Sequence, residues 1–437
     1  MHLFGSNLRR WEFWKELISF RSLVIVSPVF LLTVKHWINL VVLVVFVGSL
    51  FFLLRKKEVP LQDTDELRRW RWIIVLTLTG PVLAVGMGQL LRGDFYPPNF
   101  DAPLRIALCA PVFLAISLGW LYREGKEPIS FLWMKFTFPG MLLCILIVRS
   151  GWFSSWGAIR ITTNFVDPLT FGSLTLLFSL LSLASLSFFW QKLYFTHRIF
   201  LLIAIPSGLY FSVMSASRTG WLVLPFYLFI WLRYFACFQY GKKKAFLGAL
   251  LLIGVIFLFI PLQPALVEKI YLAISEISNY RWNSLNPDNS VGMRISFYRM
   301  AVFYFLENPF KGWGDLGWMR LIDSPETSQY ASIFAKDFAK NGFHNEVFTS
   351  AVRSGIWGLI SSIALLFLPV AFAIIINFKS TSQTLKFLTL FLLIFMTHMI
   401  VAGMTTEVTN LVFLASFIGL SLSVFIGDSL SYAEKAD

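Results

Sequence analysis

The chain predicts an all-α, polytopic integral membrane protein, and three observations carry that expectation. Of its 437 residues, 57% are hydrophobic and only 14% charged, where a soluble domain carries roughly 25% charged residues. Mean hydropathy is +0.70. Apolar stretches long enough to cross ~30 Å of hydrocarbon recur along the whole chain. In lipid the backbone has no water to bond, so such stretches must be helices.

Taken in order, residues 1–21 come first, with Arg9, Arg10, Lys15 and Arg21 set among Trp11, Phe13 and Trp14. No small-residue cleavage pattern follows, so the segment reads as an interfacial helix on the cytoplasmic face rather than a cleaved signal. Length and apolarity then place about twelve spans, at 22–34, 37–54, 72–91, 103–121, 131–148, 168–190, 198–215, 219–236, 245–262, 346–376, 384–403 and 408–427. The first is short; the run at 346–376 is long enough to tilt or to begin outside the bilayer. Nine spans thus occupy 22–262, three occupy 346–427, and 428–437 forms a short cytoplasmic tail.

Net charge is +13, but the Lys and Arg side chains sit in short loops between apolar runs. That is a topology signal, and no basic stripe with interleaved aromatics suits nucleic acid. Arg55, Lys56, Lys57, Arg68, Arg69 and Arg71 follow the second span; Arg233, Lys242, Lys243 and Lys244 follow the eighth; Lys379 and Lys386 follow the tenth. With both termini cytoplasmic all three loops fall inside, and the polar segment 263–345 falls outside. Cys109, Cys144 and Cys237 lie in or beside apolar runs and read as core thiols.

The segment 263–345 is too long to be structureless. Helices are expected at 264–279, at 292–307 before Pro309, and at 325–340 with Ser324 as N-cap and Pro325 at the first position.

Four stretches carry residues suited to chemistry. Arg218, in Ser215-Ala-Ser-Arg-Thr-Gly220, lies between two spans on the outer side, where the charge rule does not favour it. It serves equally as a site residue or as an arginine snorkelling to headgroups. Arg294 and Tyr298 share one helical face at i, i+4, and the alternative for Arg294 is an ordinary solvated charge. His344 opens the tenth span beside Asn345 and Glu346; it is either a hydrogen-bonded structural histidine or a general base at the outer face. Arg160, in the loop before Asp167 and Pro168, is a topological charge or a phosphate or sugar contact. Tyr280, Trp282, Trp313, Trp318, Tyr330 and Phe343 offer rings for sugar stacking or interfacial anchoring. No His or Cys pair has zinc spacing, and Asp315, Asp323 and Asp337 are too dispersed for a magnesium cluster.

Residues 150–360 resemble the O-antigen ligase and polymerase superfamily of bacterial envelope glycosyltransferases. The resemblance rests on the Arg160 loop, Ser-Ala-Ser-Arg218-Thr, the Arg294 helix running into Pro309 and Gly312-Trp-Gly314, and His344-Asn345 at the start of a span. In one place the chain departs from the pattern: where members often carry an acidic residue two positions before the following glycine, this chain has Arg353 before Gly355.

The resemblance implies metal-independent, inverting glycosyl transfer at the periplasmic face of the bacterial inner membrane, with no cofactor. The donor would be a glycan on undecaprenyl pyrophosphate, and the ligase branch would pass it to lipid A–core. His344, Arg294 and Arg218 would be catalytic, with Arg160, Asn345, Glu346 and Tyr298 binding substrate. The alternatives are a repeat-unit polymerase using the same donor and, in another class, a secondary transporter. The spans hold almost no midplane acids, which speaks against an ion-coupled carrier.

Overall fold

A computed structural model describes residues 20–55, 64–121, 127–156, 160–217, 220–235 and 264–433. Among these, nine helices are long and apolar enough to cross a membrane. They are α1 (Trp37–Arg55), α2 (Asp65–Arg92), α3 (Pro97–Ser117), α4 (Ile129–Ile147), α5 (Pro168–Phe189), α6 (Phe195–Met214), α12 (Glu346–Lys379), α13 (Gln383–Gly403) and α14 (Val412–Ala433). Two shorter apolar helices, Phe20–Phe30 and Gly220–Leu232, stand where the first and eighth spans are expected. The expected span at 245–262 and most of the segment 1–21 lie outside the described residues.

Between α6 and α12 lie α7 (Pro264–Ser278), α8 (Ser290–Glu307), α9 (Gly314–Leu321), α10 (Pro325–Ser328) and α11 (Ile333–Ala339). Among the described residues the one sheet is a hairpin of β1 (Phe153–Trp156) and β2 (Arg160–Thr163), antiparallel, with Trp156 opposite Arg160. The described residues are therefore all-helical apart from this ribbon, which occupies what reads in sequence as a short loop.

The helix ends follow local chemistry. Thr64 caps α2 by accepting from Leu67 N, Asp65 and Glu66 sit in its first turn, and Gly93 closes it in the left-handed region. Asp167 caps α5 with Pro168 at the first position, as the Asp-Pro pair predicts. The helix expected over 325–340 is instead two pieces. Asn286 N donates to Tyr330 O, which draws the chain out of helix, and Ser332 then caps a new start by accepting from Ala335 N.

α12 packs along α2 and α13, and α14 along α3. α14 is central, with 89% of its apolar window buried against 39% for α1. The loop helices have a core of their own in Phe297, Met300, Tyr304, Trp318, Tyr330 and Phe343, shared with Val352 of α12. Burying rings of this size contributes about 2–3 kcal/mol each, enough to hold this unit to the span beneath it.

The two ends of the bundle are chemically distinct. At one end Lys379 bonds Glu66 at 2.7 Å and Lys135 bonds Glu127 at 2.6 Å. At the other, the end of α2, the β-hairpin, the loop helices and the turn between α13 and α14 come together. Arg92 Nη1 donates there to Lys311 O (2.7 Å) and Arg353 O (3.0 Å).

α12 does not run straight. Gly355 has φ +63°, and the turn 309–313 inserts at that point: Ile356 N donates to Pro309 O (2.6 Å) and Trp313 N to Val352 O (2.8 Å). A Cβ on Gly355 would stand 2.5 Å from Pro309 O. The backbone groups freed by the break are thus satisfied by the loop, the condition for breaking a helix at a membrane surface.

Candidate functional site

The site is built where that broken helix begins. Asn345 is the N-cap of α12, and its Oδ1 accepts from Val347 N (3.0 Å) and Phe348 N (3.1 Å). Glu346, buried in the first turn, accepts from Thr409 N at 2.9 Å and from the hydroxyl of Thr409, with Ser350 Oγ at 3.2 Å. Both side chains are occupied in tying α12 to the turn between α13 and α14.

The residue before them, His344, has φ +50°, a conformation uncommon for any residue but glycine. Glu407 holds it there. Its Oε1 accepts from His344 N (3.1 Å) and from Thr349 Oγ1 (2.8 Å), and Phe343 N donates to Thr349 Oγ1 (3.0 Å). Gly342 has φ +124°, and a Cβ there would collide with the Glu407 carboxylate, so a side chain at 342 would deny Glu407 its place. Burial pushes the Glu407 carboxyl up to about 7; its bonds from Thr349 and Asn410 and the Arg353 charge resist, while Glu346 adds to the rise.

The His344 ring lies on the Phe297 ring, centroids 5.3 Å apart and 25° from parallel. Phe297 is one turn beyond Arg294 on α8, so the stacking brings the Arg294 end of α8 to the imidazole. Burial is the larger reason that the His344 pKa falls below its ordinary value; the Arg294 charge lowers it further and Asp167 opposes. The imidazole is therefore neutral near pH 7 and able to take a proton. Arg294 bonds back to Ser290 Oγ at 3.1 Å. Tyr298, one turn on, donates to Met404 O (2.5 Å) and lies against Phe348, so its hydroxyl clamps α8 to the α13–α14 turn.

Asp167 belongs to the other half of the site. It caps α5 immediately after the hairpin that carries Arg160, which is exposed on β2. Arg218 lies outside the described residues. Its neighbour Ser217 donates to Leu169 O at 2.9 Å, on the same first turn of α5. The structure thus gathers His344, Arg294 and Tyr298 around one corner, joins Asn345 and Glu346 to it through the helix start, and places Arg160 on the strand that leads to Asp167.

Arg353 stands two residues before the break at Gly355. It pairs with Asp315 (2.7 Å), donates to Asn410 Oδ1 (2.8 Å) and covers the Trp318 ring at 5.6 Å. Asp315 of α9 is thus engaged by Arg353 itself, while the acids that reach His344 are Glu407 and Asp167. Next to it a narrow cleft opens between α2 and α12, lined by Glu346, Ser350, Arg353, Ser354, Thr409 and Asn410 among others. Among the described residues no group of three His, Cys, Asp or Glu side chains is arranged to hold a metal ion.

Three participants escape a reading of the sequence. Glu407 registers there only as an acid at a span edge, and Asp167 only as a helix cap. Phe297 has one signal, its place three residues after Arg294 on the same helix. Of the six loop aromatics offered for stacking, Tyr280, Trp318, Tyr330 and Phe343 are buried in the loop unit, Trp313 is partly buried with Nε1 bonded to Tyr304 O, and Trp282 alone is exposed.

A relative in Haemophilus influenzae (strain ATCC 51907 / DSM 11121 / KW20 / Rd), described as an uncharacterized protein, is 26% identical over 195 residues, covering 44% of this chain and 47% of that protein. The match thus spans about half the length of that relative. The family model described as O-antigen ligase matches residues 200–363, from within α6 through the loop helices and past the break in α12. Over that stretch, which contains His344, Arg294, Gly312-Trp-Gly314 and Gly355, the chain is similar to the O-antigen ligase family.

Proposed function

We propose that the protein is an O-antigen ligase that moves a glycan from undecaprenyl pyrophosphate to the outer sugar of lipid A–core, inverting the anomeric centre. The observation that carries this reading is a neutral, partly buried imidazole beside a guanidinium, at the mouth of a membrane-length helix. In the reaction an acceptor hydroxyl attacks the anomeric carbon. The new C–O bond forms as the bond to the pyrophosphate oxygen breaks, and the electron pair leaves with the lipid pyrophosphate. His344 takes the hydroxyl proton. Arg294 and Arg218 meet the charge that grows on the leaving group, since guanidinium forks bind phosphate oxygens two at a time. Arg160 contacts the donor's phosphate or sugar. Tyr298, Asn345 and Glu346 position the imidazole and the sugar through the turn they hold.

This reading places the site at the periplasmic face of the bacterial inner membrane. Both termini are cytoplasmic, about twelve spans cross the bilayer, and the end bearing Lys379 and Glu66 faces inward, as the basic loops require. The test uses purified full-length protein with the lipid-linked donor, with and without lipid A–core, in the presence of a chelator. Glycan transfer to the core that persists in chelator and is lost in His344→Ala supports the ligase. Lengthening on the carrier lipid alone would assign it to repeat-unit polymerisation, and full activity of His344→Ala would overturn the mechanism.

A further inference from the structure

The rings nearest His344 that remain open to solvent are on α11. Phe334 is 51% and Phe338 43% exposed, their centroids are 4.8 Å apart, and Phe338 lies 6.3 Å from the His344 ring. With Phe297 on His344, the four rings form one continuous series leading from the Arg294 helix out to solvent.

The helix presenting them is pinned. Ala335 and Ala339 are buried in the loop core. The Ser332 hydroxyl donates to Asp288, Lys336 Nζ bonds Ser328 Oγ at 3.0 Å, and Lys340 Nζ reaches Asp337 (2.8 Å) and Asp323 (3.4 Å). An anchored helix that leaves two aromatic rings uncovered by the rest of the protein gives up burial energy that a partner would recover. Asp337 and Asn341 are exposed alongside them. A carboxylate on this face disfavours burial in hydrocarbon. Ring faces flanked by a carboxylate and an amide suit a pyranose: its C–H face lies on the electron-rich ring, and its hydroxyls find polar acceptors and donors around the rim.

We propose that Phe334 and Phe338 form the platform on which the acceptor's sugar stacks, bringing its hydroxyl to His344. This rests on the transferase reading above. The acceptor rather than the donor is assigned because the platform adjoins the imidazole that takes the acceptor's proton. The rings act on acceptor affinity and not on the bond-breaking step.

Steady-state transfer should be measured with Phe334→Ala, Phe338→Ala, Phe338→Tyr and Phe338→Leu, varying lipid A–core oligosaccharide and lipid-linked donor separately. Losing one ring stack should raise the acceptor KM about tenfold in Phe338→Ala, with kcat and donor KM unchanged. Phe338→Tyr should keep the parent KM, and Phe338→Leu should not. A rise in donor KM alone, no change in either KM, or equal performance by Leu and Tyr would overturn the proposal. So would reduced reconstitution into vesicles at unchanged acceptor KM, which assigns the rings to lipid.

A second measurement separates this from the reaction itself. Saturation-transfer NMR of the core oligosaccharide on His344→Ala reports binding without turnover. Signal lost on adding Phe338→Ala supports the platform even if the wild type proves to transfer nothing, in which case only the ligase reading falls. Absence of signal in His344→Ala overturns the platform whatever the activity.

Discussion

His344 owes its reactivity to neighbours that are remote in sequence. A solvated imidazole is about a quarter protonated at pH 7; here burial, then the Arg294 charge, favours the neutral form. Both effects lower the pKa, so the acid limb of kcat/KM should fall below the ordinary histidine value. Removing the guanidinium removes one of them. Arg294→Gln should therefore shift the acid limb upward while lowering kcat/KM by roughly 10²-fold or more, the scale of losing a transition-state charge contact. A pH–rate profile of the residual activity checks this, and a downward shift would dissociate Arg294 from His344. The candidate residues themselves are legible in the sequence, because a histidine and arginines at the margins of apolar runs have no packing reason to be there. The residues that tune them are not. Glu407 reaches His344 across 63 positions, and nothing in local pattern links an acid in one turn to a backbone N–H in another.

At the scale of the element, the break in α12 decides where His344 points. The segment Glu346–Ser354 is anchored to the α13–α14 turn through Glu346 and Thr409, and α12 as a whole packs along α2 and α13. Gly355 is the hinge of this arrangement. Gly355→Ala would place a side chain in the left-handed region and against Pro309 O. It should destabilise the protein by about 1–3 kcal/mol or more. Gly86→Ala on α2 serves as control: its Cβ would meet only Phe100 at 3.9 Å, and a helix-interior alanine is favourable by roughly 0.5–1 kcal/mol. Thermal unfolding in detergent distinguishes them, and equal behaviour of the two variants would argue against a strained break. The length of the apolar run makes an extended or tilted helix legible in the sequence. The break is not, because glycine is tolerated inside membrane helices and the inserting turn, 309–313, lies more than forty residues upstream.

For the molecule as a whole, the open question of stability is set at the turn where α8, α12 and α14 converge. Glu407 titrates near 7 in the folded protein against an ordinary 4.5. The native state therefore binds more protons than the unfolded chain between those values, and stability falls as pH rises through that window. Because Glu407 keeps some contact with solvent, the effect is on the order of 1–2 kcal/mol. Wild-type protein should unfold at a lower temperature at about pH 8 than at about pH 5, and Glu407→Gln should flatten that difference. An unchanged pH dependence in the variant would place the titration elsewhere. Composition and the recurrence of apolar runs were enough to specify a helical membrane protein and most of its spans, since the demand that lipid makes on a backbone is the same wherever the run occurs. The cap at Asp167 was likewise open to inspection, being a matter of one turn. What had to await the folded chain was the meeting of α8, α12 and the α13–α14 turn, the β-hairpin beside α5, and the inward burial of Trp318 and Phe343 while Phe334 and Phe338 stayed exposed. Those outcomes depend on which surfaces fill one another's gaps, and packing of that kind is a property of distant segments together rather than of any single stretch.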